Sequence, residues 1–123
     1  HQVARPYPCR AIDPPLKKGD KAWHDYFENC DAREPYHYLN GGVWPFIGGF
    51  YVAALVKVKD YAGAERELTK LAEANLRELN GHGFNEWLDG KKGKPVGEPY
   101  QGWSAGTYIY AYHCFNKKKA LFF

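Results

Sequence analysis

The stretch "YHYLNGGVWPFIGGFYVAALVKVKDYAGAERELTKLAEANLREL", residues 36–79, decides the fold because its two halves are helical in different ways. Asn40, Gly41 and Gly42 form a turn, and Pro45 then suits the first turn of a helix, where its missing N–H costs nothing. Residues 44–58 are apolar nearly all round, which predicts a helix buried on most sides. Gly48 and Gly49 lower helix propensity there, so their use is to let something large pack closely. The second half differs. Tyr61, Ala64, Leu68, Leu71, Ala72, Leu76 and Leu79 fall near one face, with Glu, Arg and Lys opposite. That is an amphipathic helix with one wet side, stopped by Asn80 and Gly81.

Downstream, "HGFNEWLDGKKGKPVGEPYQGWSAG", residues 82–106, reads as a long loop. A third helix follows from about Ser104 through "AGTYIYAYHCF", apolar and aromatic on most sides. Upstream, residues 1–35 are rich in proline and lysine and read as an irregular lead-in, with a short helix capped by Asp20 through "KAWHDYFENC". No strand pattern competes. Residues 36–116 thus alternate inner buried and outer half-exposed helices, as a double-layered helical barrel requires. If the helices run up and down, "YHYLNGGVWP" and "GFNEWLDG…YQGWSAG" share one rim.

Composition narrows the function. The 123 residues suffice for one modest domain, and 45% hydrophobic content with 25% charge excludes disorder. A net charge of +3, with lysines in two local runs, is too small for a nucleic-acid surface. No apolar run is long enough for a membrane span and no signal-peptide layout opens the chain. Cys9, Cys30 and Cys114 have neither metal-ligand spacing nor an even count, which fits reduced thiols in a cytoplasmic protein. His24, His82 and His113 likewise suggest no metal site, and nothing points to a cofactor. The lack of any methionine and the abrupt "ALFF" end suggest a piece of a longer chain.

The long loop carries the chemistry. It gathers Phe84, Trp87, Tyr100 and Trp103 around Asn85, Glu86 and Gln101. Aromatic faces pack on sugar C–H surfaces, amides bond hydroxyls, and glycoside hydrolysis needs a pair of carboxyl groups. Glu86 is either such a carboxyl or a surface glutamate paired with a lysine such as Lys91. Asp89 before Gly90 reads as a turn former. Glu98 belongs at the rim, facing substrate or solvent.

"YHYLNGGVWPFIGGF", "GFNEWLDG" and "EPYQGWSAGTYIYA", in this order, resemble the C-terminal part of an (α/α)6-barrel glycoside hydrolase. The resemblance covers residues 36–113 and points first to the amylo-α-1,6-glucosidase (glycogen debranching) family, then to the alkaline/neutral invertases. It implies an all-α fold, a fragment of an (α/α)6 toroid. Glu86 would be the general base of an inverting enzyme. His37, Asn40, Trp44, Asn85, Trp87, Gln101 and Trp103 would contact the carbohydrate, an α-glucan or α-glucoside. The general acid would come from an upstream remainder of the catalytic domain. Leu39 lengthens the histidine-to-asparagine spacing relative to the family, which leaves His37 open between substrate contact and a structural bond. A sucrose-cleaving enzyme and a non-catalytic carbohydrate-binding fragment stay open as alternatives.

Overall fold

A computed structural model describes residues 2–122. Among them three α-helices, α1 (Pro45–Lys57), α2 (Tyr61–Leu76) and α3 (Gly102–Asn116), pack on one another. Between α2 and α3 lies a small antiparallel hairpin, β1 (Trp87–Leu88) with β2 (Pro95–Val96), paired Trp87 to Val96 and Leu88 to Pro95. The chain is therefore mostly helical, but the expectation of no strands was incorrect. Two-residue strands are too short to show alternation.

Helix α1 starts at Pro45 as expected, and its apolar core side is Val52, Leu55 and Val56. These pack with Ala64, Leu68 and Leu71 of α2 and Ala111 of α3 into the main core. The glycine pair permits this approach from both sides. A Cβ on Gly48 would lie 2.5 Å from the Pro8 carbonyl oxygen, and one on Gly49 would lie 2.6 Å from Thr107 of α3. Helix α1 is covered on most sides, as expected: Pro45, Gly48, Gly49, Val52, Ala53, Leu55 and Val56 are buried, and only Phe50, Ala54 and Lys57 are exposed.

Helix α2 is capped by Asp60, whose carboxylate accepts from Gly63 N at 2.9 Å. It ends at Leu76, three residues before the expected stop, because Arg77 turns extended (φ −63°, ψ 125°). One residue assigned to its wet face is buried: Glu67 accepts from Arg66 at 3.0 Å and Lys70 at 3.2 Å. Lys70 also donates to the Ala4 carbonyl at 2.9 Å, so this cluster fastens the N-terminal arm to α2.

Helix α3 begins at Gly102, not Ser104, and buries only Ser104, Ala111 and Cys114. Tyr108 and Phe115 are half-buried against the main core, whereas Trp103, Ile109 and Tyr112 are exposed, as is Phe50 of α1. In the lead-in, Asp20 caps no helix. Its Oδ2 accepts from Lys17 N at 2.7 Å, closing a turn on the residues before it, and a 3-10 turn occupies Asp25–Asn29 instead. No helix among the described residues is long and apolar enough to cross a membrane.

Candidate active site

The hairpin is held by a layer of backbone pairing. Val43 exchanges two hydrogen bonds of 2.8 Å with Leu88, and it also bridges to Arg10 of the N-terminal arm. Arg10 donates to the Gly90 carbonyl at 2.8 Å, and Gly90 N donates to the Tyr36 carbonyl at 2.8 Å. These bonds bring residues 36–44 and 84–98 onto one rim. Trp87 meets the His37 and Tyr38 rings at centroid distances of 5.6 and 6.0 Å.

Glu86 lies one residue before β1, its N–H donating to the Glu98 carbonyl at 2.8 Å. Its carboxylate rests against Gly97: a Cβ there would lie 2.8 Å from Glu86 Oε2, and Gly97 has φ +70°. The half-buried carboxylate has no ion pair among the described residues, with Lys91 or otherwise. It opens into a cleft of about 390 Å³ lined also by Tyr38, Trp87, Glu98, Cys30 and Asp31. An unpaired carboxylate in an open cleft can take a proton from water or hold a sugar hydroxyl.

The other predicted site residues divide into two groups. Asn40, Trp44, Asn85 and Trp87 are buried; the first three bond to the backbone, but Asn85 Oδ1 has no hydrogen-bond partner among the described residues. Asn40 is 0% exposed and pairs with Leu16 through both amide atoms, donating to its carbonyl at 3.0 Å and accepting from its N–H at 2.7 Å. Trp44 donates to the Tyr38 carbonyl at 3.1 Å, and Asn85 donates to the Arg77 carbonyl at 2.7 Å. Trp87 is 1% exposed and forms the back wall of the cleft. These four frame the loop. His37, Gln101 and Trp103 are accessible but lie outside the lining of the Glu86 cleft. His37 Nε2 is 3.4 Å from Asp89 Oδ2, Gln101 precedes α3 with its N–H on the Phe84 carbonyl, and Trp103 leans on Phe46 at 6.1 Å.

Asp89 closes its turn, accepting from Lys91 N at 3.0 Å and Lys92 N at 2.6 Å. Sequence reasoning missed Tyr38, Cys30, Asp31 and Gly97 as cleft residues. Tyr38 stands inside a quoted motif and was within reach. Nothing local signals Cys30 and Asp31, which approach from more than 50 positions away.

Comparison with known proteins assigns the family. Residues 2–118 match the family described as alkaline and neutral invertase. The chain is 35% identical over 86 residues to probable alkaline/neutral invertase D of Arabidopsis thaliana, covering 67% of this chain and 15% of that protein. Over an alignment of the same length it is 36% identical to cytosolic invertase 1 of Oryza sativa subsp. japonica, covering 67% of this chain and 15% of the relative. The chain thus spans about 15% of the length of the curated relatives it matches. It belongs to the alkaline and neutral invertase family of glycoside hydrolases. Of the two resemblances, the second is the one supported, and the debranching reading that the sequence put first gives way to it.

Proposed function

We propose that this chain supplies the general-base wall of a sucrose-cleaving, inverting glycoside hydrolase. The observation that carries this reading is the unpaired Glu86 carboxylate, set against Gly97 in an open cleft, in a chain that belongs to the invertase family. Glu86 activates water on one face of the glucosyl ring, and a general acid protonates the leaving fructosyl oxygen from the other side. The two carboxyl groups of an inverting pair stand about 6.5–9.5 Å apart, leaving room for that water. We place the acid in the part of the protein beyond this chain, within an (α/α)6 toroid to which α1, α2 and α3 contribute. The exposed Phe50, Trp103 and Ile109 support this, because large apolar side chains left in water call for neighbours. His37, Gln101 and Trp103 reach sugar hydroxyls and C–H faces once those neighbours complete the pocket. A cytoplasmic location accords with the name of the rice relative.

The test is carried out on a full-length protein containing this segment. Sucrose should yield glucose and fructose, an α-1,6-linked glucoside should be left intact, and NMR should find β-glucose as the first-formed anomer. First-formed α-glucose would overturn the role of Glu86 as a base acting through water. Saturable binding without turnover would overturn hydrolysis itself.

A further inference from the structure

The larger cleft of the chain is not the one holding Glu86. It has a volume of about 620 Å³ and is lined by His37, Lys91, Lys92 and Lys94 together with Asp89 and the β2 residues Pro95 and Val96. Gly97 borders both clefts, so a basic cavity adjoins the acidic one.

The three ammonium groups have no ion-pair partner among the described residues. The one carboxylate in the cleft, Asp89, is already engaged. Its Oδ1 holds the backbone N–H groups of Lys91 and Lys92, and its Oδ2 faces His37. The lysines also project from a fixed turn. Asp89 N donates to the Lys94 carbonyl at 2.7 Å and Gly93 N to the Asp89 carbonyl at 2.8 Å. A single exposed ion pair contributes little, but three like charges held around one cavity repel each other until a multivalent anion enters. Beneath them Pro95 and Val96 of β2 give an apolar floor that suits the C–H face of a sugar ring.

We propose that this cleft binds a phosphate group, as free phosphate or as a hexose monophosphate. The site adjoins the Glu86 cleft at Gly97 and includes His37, one of the proposed sugar contacts, but phosphate binding is read directly, so the result does not depend on hydrolysis.

The experiment is calorimetric titration of the full-length protein at low salt with inorganic phosphate, glucose 6-phosphate and, as the neutral control, glucose. Saturable binding of either phosphate is expected. Changing Lys91, Lys92 and Lys94 together to alanine should weaken it by about tenfold or more, since charge-assisted contacts to phosphate are lost. The corresponding arginine variant should retain it. Raising ionic strength should weaken binding to the unmodified protein, a test independent of any variant's folding. If the alanine variant folds poorly, Lys94→Gln alone should still lower affinity. Equal affinity of the alanine variant, tightness insensitive to salt, or glucose binding as strongly as its phosphate would each overturn the proposal.

Discussion

The helical part and the loop part of this chain are held together by different forces. Around α1 and α2 the buried side chains are Val52, Ala64 and Leu71, and cohesion comes from apolar area removed from water. Around the hairpin Val43, Trp87 and Leu88 are buried too, but so are Asn40 and Asn85, and part of the cohesion comes from amides bonded to backbone groups 24 and 8 residues away. Apolar burial is non-directional and tolerates a change of shape. A hydrogen bond is directional, and losing one leaves a partner unsatisfied. The rim that carries Glu86 is thus fixed partly by direction, and the scaffold behind it by volume.

Substitutions can break or sharpen this contrast. The largest effect should come from Glu86→Gln in the full-length protein, which removes the proposed general base and no structural bond. Hydrolysis should fall by about 10²–10⁴, the usual loss with a positioned base, while the thermal midpoint stays unchanged. Near-normal turnover would remove Glu86 from the mechanism.

Next come two substitutions that keep the number of side-chain heavy atoms. Asn40→Leu should destabilise by roughly 1–3 kcal/mol in urea unfolding, since the Leu16 N–H and carbonyl lose their partners. Leu71→Met should cost less than about 1.5 kcal/mol, because volume is conserved in the apolar core. Equal costs would erase the distinction drawn between the two parts.

Gly97→Ala adds a Cβ at positive φ against the Glu86 carboxylate. A left-handed conformation costs a non-glycine residue about 1–2 kcal/mol, and the displaced carboxylate should lower turnover as well. Unchanged stability together with unchanged rate would mean the close approach is unimportant.

The smallest effect concerns Cys9, on the arm beneath both parts. Burial, reinforced by the nearby Glu67 charge, pushes its thiol from 9.0 up to about 12. The folded state therefore holds the proton more tightly than the unfolded state. Stability from this source is full below about pH 9 and declines as pH rises towards 12, by about 1 kcal/mol between pH 9 and 10. Denaturation curves across that range should show the decline, and Cys9→Ala should lessen it.

Legibility in the sequence followed the same division. The start of α1 and the use of its glycine pair could be read because apolar runs, Pro45 and Gly48–Gly49 act locally. The end of α2 could not, because the Arg77 carbonyl is taken by Asn85, a partner eight residues on that periodicity does not reveal. The motifs drew attention to Glu86 and Trp87, yet did not separate cleft from frame. Asn40 and Asn85 look like sugar ligands by residue type, and only burial assigns them to backbone support. Asp31 and Cys30 joined the cleft through tertiary folding alone.

The exposed apolar side chains of Phe50, Trp103, Ile109 and Tyr112 have a colloidal consequence. A net charge of +3 gives little long-range repulsion between copies of the isolated chain, so contact attraction through these side chains governs their behaviour. Its osmotic second virial coefficient should be negative, and ammonium sulfate should drive it lower, since excluded salts strengthen apolar association. In light scattering the isolated 123-residue chain should therefore salt out at concentrations where proteins with a covered surface stay dispersed.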